Sequence, residues 1–234
     1  RRAGAGQQPS EAGADLMAEL VSLPLTTADG RPLVHKFYRH PERAAGLLVT
    51  FPGNHYGVDG PLLYYPAKLL GAEGWDTLAV SYGFQTAMRE PLEEGLESLV
   101  LECDAAIRGA MQSRQYPRIG LIGKSLGAGI VAYLCANRSE LAAARAAYLT
   151  PALGTPFFDP FFVKTSQPAY LALGTQDRVY SAEVLERLRG QRPFELALIE
   201  GADHSLDVPG DLTASIEAAG RAVAGLLAFF RSSH

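Results

Sequence analysis

The sequence predicts a single α/β domain in which a mostly parallel sheet has helices on both faces and begins with an antiparallel hairpin. Short apolar runs alternate along the chain with longer segments of helical periodicity. Several of these runs are apolar at almost every position, which is typical of strands buried on both faces and joined by crossover helices. The length of 234 residues is sufficient for one such domain.

The elements are predicted in order from the N-terminus. Residues 1–15 are rich in Gly, Ala, Gln and Pro, so we expect a disordered lead-in before a domain spanning 16–234. Two extended runs around Ala28-Asp29-Gly30 predict the hairpin, because Asp-Gly favours a tight turn. Apolar runs predict further strands at 46–51, 76–82, 118–123, 145–150, 169–174 and 195–199, and helical periodicity predicts helices at 61–70, 91–113, from 126 onward, 181–189 and 211–230.

The composition is ordinary for a globular protein and argues against two classes of partner. Apolar residues make up 47% of the chain, charged residues 20%, and the formal net charge is −4. Nucleic acids and anionic membranes select basic surfaces, so we expect neither as a partner. The N-terminal segment has no apolar signal-peptide region, and we expect a cytoplasmic protein. Cys103 and Cys135 fall in helical patterns and are expected to be buried thiols.

Residues 119–130, IGLIGKSLGAGI, contain two overlapping motifs that imply different chemistry. Gly-Lys-Ser ends a phosphate-binding P-loop, but that loop also needs a glycine five positions before Gly123. Arg118 occupies that position, so the spacing argues against nucleotide binding. The second motif, Gly-x-Ser-x-Gly, is complete as Gly123, Ser125 and Gly127.

The surroundings of this second motif favour a serine nucleophile. A predicted strand leads directly into it and a predicted helix follows at once, which is the context of a nucleophile elbow. Small residues beside Ser125 let the strand and helix backbones approach each other. Lys124 stands at the variable position of the motif, and we expect its stem to pack on neighbouring strands with its ammonium group in solvent.

With this elbow and this order of elements, the chain resembles the α/β-hydrolase superfamily, especially its small, cap-less, dienelactone-hydrolase-like members. The resemblance extends over residues 18–231 and implies the α/β-hydrolase fold. In that superfamily an acid and then a histidine follow the serine, each just beyond a later strand. Asp177 follows the strand at 169–174, and His204 follows the strand at 195–199, in matching positions.

The resemblance assigns a role to each of these side chains. Ser125 would be the nucleophile, His204 the base that takes its proton, and Asp177 the carboxylate that orients the imidazole. Two other acids compete for the last role. Asp159 follows an earlier strand at a greater distance, and Asp203 adjoins the histidine, where we expect it to shape the turn.

By the same resemblance, two backbone N–H groups would form an oxyanion hole. One belongs to Leu126, the residue after the nucleophile. The other belongs to the loop after the strand at 46–51, where Gly53 matches the family glycine and Asn54 is the expected donor. A proline occupies the position at which the family has histidine, so His55 remains an alternative donor.

Four residues are expected at a substrate pocket: His55, Tyr56, Phe157 and Phe158. The segment 151–167 is too short for an independent cap domain. Its phenylalanines predict either a small lid and acyl-pocket wall or a loop inserted into the core, and the sequence leaves both open.

The sequence therefore predicts a serine hydrolase that cleaves a small-molecule acyl ester or thioester through an acyl-enzyme. The five histidines show no metal-ligand spacing, and we expect no metal or organic cofactor. Two alternatives remain: an acyltransferase or peptidase that uses the same triad, and a non-catalytic binding or scaffolding protein on the same fold. Neither the acyl-chain length nor the oligomeric state is predicted.

Overall fold

The structure is a computed structural model that describes residues 18–86 and 95–232. The predicted lead-in at 1–15 lies outside these residues. The strands in chain order are β1 (Glu19–Val21), β2 (Leu25–Thr26), β3 (Pro32–Leu33), β4 (Lys36–Arg39), β5 (Gly46–Phe51), β6 (Trp75–Ala79), β7 (Ile119–Lys124), β8 (Arg145–Leu149), β9 (Ala169–Gly174) and β10 (Glu195–Ile199).

Eight of these strands form one twisted central sheet in the order β1-β4-β6-β5-β7-β8-β9-β10. Each adjacent pair of strands from β6 to β10 in this order is parallel. β4 pairs antiparallel with β6, and β1 pairs antiparallel with β4. The predicted hairpin is the separate antiparallel pair β2–β3. Because the central strands are parallel, the carboxyl ends of β5, β7, β9 and β10 lie along one edge of the sheet.

Helices connect the strands and cover both faces of the sheet. Within the described residues the α-helices are α1 (Pro61–Ala72), α2 (Gly83–Thr86), α3 (Leu96–Ser113), α4 (Leu126–Asn137), α5 (Asp159–Lys164), α6 (Ala182–Gln191) and α7 (Leu212–Arg231). Two begin with side-chain caps, since Ser181 accepts a hydrogen bond from the Val184 N–H and Asp211 accepts one from the Ala214 N–H.

Side chains alternate along each strand, so each face of the sheet has its own core. On β5, Leu47, Val49 and Phe51 point to the larger core, which α3, α4 and α5 complete, and Leu48 points to the smaller core beneath α1 and α7. Residues of both cores are fully buried. Cys103 and Cys135 are buried free thiols of the larger core, as predicted.

Most predicted elements are confirmed to within two residues, two elements start or end further from the prediction, and a helix within 151–167 was not predicted. β6 ends at Ala79, where its pairing with β4 ends, and the chain then turns into α2. The helix predicted at 91–113 starts at Leu96, after Gly95 with φ 79°, and residues 91–94 lie outside the described residues. The segment 151–167 contains α5, which the sequence did not reveal because its helical turn is too short to show periodicity.

By length and composition alone, α7 could cross a membrane. In the fold its apolar stripe covers the sheet, with Leu226, Phe229 and Phe230 buried in the smaller core. The packing of α7 on β9, β10 and α1 therefore explains its apolar stripe.

Candidate active site

Ser125 lies in the tight turn that joins the end of β7 to the start of α4. Its backbone has φ 53° and ψ −108°, a conformation that residues with a side chain rarely adopt. The turn is held in place by a hydrogen bond from the Ser125 N–H to the Leu149 carbonyl on β8, at 2.9 Å. This geometry is that of the predicted elbow, and it places the serine at the carboxyl edge of the sheet.

The two glycines of the motif are required by backbone contacts on either side of Ser125. A Cβ on Gly123 would lie 2.3 Å from the carbonyl oxygen of Gly127, and a Cβ on Gly127 would lie 2.3 Å from that of Phe51. Both distances are far below van der Waals contact, and the opposing atoms are backbone atoms that cannot move aside. The elbow therefore depends on glycine at both positions.

The structure brings Ser125, His204 and Asp177 together in one hydrogen-bonded line. The His204 Nε2 lies 2.9 Å from the Ser125 Oγ, and its Nδ1 lies 2.8 Å from the Asp177 Oδ2. Asp177 is buried, whereas the His204 side chain retains 31% of its exposure. With the ring proton on Nδ1, the imidazole donates to the carboxylate, and Nε2 is free to accept the serine proton.

The loops after β9 and β10 position the acid and the histidine. The second oxygen of Asp177, Oδ1, accepts the Val179 N–H at 3.0 Å, which fixes the plane of the carboxylate. Asp203 shapes the histidine loop, as predicted, because its Oδ1 accepts the N–H groups of Ser205 and Asp207 at 2.7 and 3.1 Å. The Asp203 carboxylate therefore binds N–H groups of its own turn.

Asp159, the other competing acid, lies at the start of α5 and bonds to groups other than the imidazole. Its Oδ2 accepts from Arg187 at 2.7 Å, and its Oδ1 accepts the Gly154 N–H at 3.0 Å. Its carboxylate oxygens thus join α5 to α6 and to the preceding turn, and the imidazole instead bonds to Asp177.

The loop after β5 passes directly beside Ser125 and is anchored at successive residues. A Cβ on Gly53 would lie 3.5 Å from that of Ser125. The buried Tyr82 hydroxyl donates to the Pro52 carbonyl at 2.8 Å. The Gln85 amide donates to the Gly53 carbonyl at 2.8 Å and to the Asn54 carbonyl at 3.1 Å.

The bonds made by Gln85 determine the orientation of one peptide group. In a trans peptide the C=O of one residue and the N–H of the next point in opposite directions. Since the Gly53 carbonyl faces Gln85, the Asn54 N–H faces away from Gln85. This anchor could not be predicted from the sequence, because Gln85 is distant in the chain and belongs to no motif.

The position of Lys124 contradicts the sequence prediction of a solvent-exposed ammonium group. The side chain is 1% exposed, and its Nζ donates to the Thr150 Oγ1 at 2.5 Å and to the backbone carbonyl of His204 at 2.8 Å. It also lies 5.3 Å from the centre of the Tyr56 ring. Side-chain alternation explains the error, since Lys124 points into the protein at the end of a central strand while Ser125 turns out of it.

Three of the four residues expected at the pocket keep some exposure to solvent. His55 is exposed, with its Nε2 3.1 Å from the Asn54 side-chain amide, and Phe157 is half-buried with its ring against Gly129 of α4. Tyr56 points toward α1, where its hydroxyl accepts the Leu62 N–H at 2.9 Å.

The expectation that Phe158 lines the pocket is wrong. Its side chain is 0% exposed and stacks on Phe162, with the Tyr148 ring edge-on to both. Of the two interpretations left open for this segment, insertion into the core therefore holds for Phe158 and Phe162. The aromatic residues are packed because α5 lies against α4 and brings them over the larger core.

Comparison with solved structures identifies the fold. An α/β serine hydrolase homologue from Coxiella burnetii has 19% sequence identity and a TM-score of 0.66, and the match covers 93% of this chain and all of the other. The chain has the α/β-hydrolase fold. A dienelactone hydrolase from Anabaena variabilis has 18% identity and a TM-score of 0.66 over 92% of this chain and 100% of its own.

A third similar structure is an α/β serine hydrolase without a lid from Xanthomonas campestris, at 14% identity and a TM-score of 0.63 over 93% of this chain and 97% of its own. No protein-family model and no curated protein sequence matches the chain. Identities this low show a common fold, so the activity has to be argued from the chain's own residues.

Proposed function

We propose that the chain is a serine hydrolase that cleaves a small acyl ester or thioester, with Ser125 as nucleophile, His204 as general base and acid, and Asp177 as the orienting carboxylate. The observation that supports this proposal best is the pair of hydrogen bonds, 2.9 and 2.8 Å, that join the three side chains in the order the reaction requires.

The reaction follows from these positions. As the Ser125 oxygen attacks the substrate carbonyl, its proton passes to the His204 Nε2, and Asp177 stabilises the imidazolium. The imidazolium then protonates the leaving alcohol or thiol, and the acyl group remains on the serine. Water enters, gives a proton to the same imidazole and attacks the acyl-enzyme, and the serine recovers its proton as the acid is released.

The negative charge on the tetrahedral intermediate needs two donors. We assign them to the N–H of Leu126, which as the first residue of α4 has no carbonyl partner within the helix, and to the N–H of Asn54. Gln85 holds the second donor in place through the Gly53 and Asn54 carbonyls. The partly exposed imidazole and the packed α5 segment leave the site accessible to water, which favours hydrolysis over acyl transfer to a second substrate.

Replacing Gln85 with leucine is expected to lower kcat by about 10- to 100-fold with little change in KM, because the Asn54 N–H loses its orientation and serves only the transition state. Complete loss of one such donor costs on the order of 100- to 1,000-fold. The measurement is steady-state hydrolysis of p-nitrophenyl acetate. The matched control is Gln191→Leu at the exposed end of α6, which should retain normal kinetics. An unchanged kcat in Gln85→Leu would refute this assignment.

The substrate class is tested with a panel of p-nitrophenyl esters and acyl thioesters of graded chain length. We expect the wild-type protein to hydrolyse short members of the panel and Ser125→Ala to hydrolyse none above background. Transfer of the acyl group to an added alcohol or amine in preference to water would indicate an acyltransferase instead. No turnover of any member by folded wild-type protein would count against a hydrolase.

A further inference from the structure

Lys124 is a buried cation directly behind the candidate active site, and the reaction above does not use it. It follows Gly123 at the end of β7 and precedes Ser125, so its backbone is part of the elbow. Its Nζ reaches the main-chain carbonyl of His204, 80 residues further along the chain, at 2.8 Å. A hydrogen bond from a side chain of the proposed nucleophile's strand thus holds the backbone of the proposed base.

The surroundings of this ammonium group engage two of its three donors. One N–H meets the Thr150 hydroxyl and one meets the His204 carbonyl, while the Tyr56 ring lies on a further side at 5.3 Å. Thr150 has φ 42°, which is unusual for a β-branched residue, and this conformation occurs where its hydroxyl meets the lysine. A buried cation with this set of partners is fixed in one position.

Lys124 holds the carbonyl of His204 itself, whereas the other hydrogen bonds of this loop hold the residues on either side of it. The Asp177 carboxylate orients the ring, and Asp203 shapes the loop around it. Lys124 adds a restraint from the serine's own strand. A displacement of the imidazole by about 1 Å can cost on the order of 100-fold in rate.

We propose that Lys124 is a positioning residue whose buried ammonium group holds the main chain of His204, and so keeps the imidazole in line with the Ser125 hydroxyl. The inference rests on the proposed function, since it assigns a role within the same site. It also has an electrostatic consequence, because a fixed positive charge bonded to the main chain of His204 opposes formation of imidazolium on the same residue.

The size of this electrostatic effect depends on the charged groups around Lys124. Burial lowers the pKa of Lys124 to about 8, and the Asp177 and Asp203 carboxylates oppose this shift, so the group remains mainly charged at pH 7. The titratable groups that interact with it are these two acids and the Tyr56 ring, and its hydrogen bond to His204 is made to the backbone carbonyl of that residue. Removing the cation makes protonation of the imidazole easier, so activity should be lost at a higher pH on the acid side.

The test is Lys124→Met, which has a similar length and neither charge nor donor. We expect kcat for p-nitrophenyl acetate to fall by about 10- to 100-fold with KM unchanged. The midpoint of the acid limb of kcat/KM should move upward by about 0.5–1 pH unit. The thermal midpoint should change little, because the loss of the donor to Thr150 and His204 is offset by removal of the desolvation cost of a buried charge. Lys164→Met, an exposed lysine of α5, is the control and should change none of these.

The outcomes separate this inference from the proposed function. Wild-type kcat and an unmoved acid limb in Lys124→Met would overturn it, as would a loss of kcat that comes with a lower thermal midpoint and no movement of the acid limb. If the wild-type protein hydrolyses nothing, NMR titration of the His204 ring still tests the inference. The ring signal, assigned by its absence in His204→Ala, should then titrate at a higher pH in Lys124→Met, and an unchanged midpoint would refute the role.

Discussion

Replacing Ser125 with alanine is expected to lower kcat for p-nitrophenyl acetate by roughly 10⁴- to 10⁶-fold, the range seen when a serine nucleophile is removed. The hydroxyl is the group from which His204 takes a proton, and its Oγ lies 2.9 Å from the accepting nitrogen. Without it no acyl-enzyme can form, and the remaining activity comes from substrate binding and the oxyanion donors alone. Steady-state kinetics on purified protein measures the effect.

Two controls distinguish lost chemistry from lost folding. Ser166→Ala removes an exposed serine and should retain wild-type kinetics. Ser125→Gly should be as inactive as the alanine variant and at least as stable as wild type, because glycine adopts φ 53° without strain. A Ser125→Ala protein that retains more than about a tenth of the wild-type rate would show that another group is the nucleophile.

Replacing Asp177 with asparagine is expected to lower kcat by about 10³- to 10⁴-fold while the protein stays folded. The buried carboxylate accepts the Nδ1 proton of His204 at 2.8 Å, which leaves Nε2 unprotonated and facing the serine. An amide at this position can donate to Nδ1 instead, and the ring then has its proton on the wrong nitrogen. The same hydrolysis assay with a circular-dichroism check of folding measures this effect.

Asp159→Asn is the matched comparison, because the sequence also allows Asp159 as the acid that orients the imidazole. In the structure it pairs with Arg187, whose side chain is 52% exposed. Loss of such a pair should change stability by no more than about 1 kcal/mol, and the rate should stay within about threefold of wild type. A larger loss of activity at Asp159 than at Asp177 would overturn the assignment of the acid.

The features that the sequence predicted correctly are those set by local pattern. Buried parallel strands such as 169–174 are apolar at almost every position, so their bounds could be read directly. The glycines of the elbow stand out because a strand must turn at once into a helix there, and backbone contacts leave no room for a Cβ. Asp177 and His204 follow the ends of such strands, and parallel strands end at one edge of the sheet.

The features that the sequence could not predict depend on contacts between distant segments. The burial of Lys124 requires the Thr150 hydroxyl and the His204 carbonyl, which come from two other strand ends. An aromatic residue such as Phe158 is compatible with either a lid or a core, and only the packing of α5 on α4 decides between the two positions. Gln85 anchors a loop more than 30 residues earlier, through backbone carbonyls that carry no sequence signal.

Covalent labelling with a fluorophosphonate tests most directly whether the Ser125 hydroxyl is activated for attack by His204. Such a reagent phosphonylates a serine only where a base and an oxyanion site activate it. We expect one adduct per chain by intact mass, mapped by peptide sequencing to Ser125, and neither Ser125→Ala nor His204→Ala should be labelled. Folded wild-type protein that stays unlabelled, or that is labelled at another residue, would contradict the account.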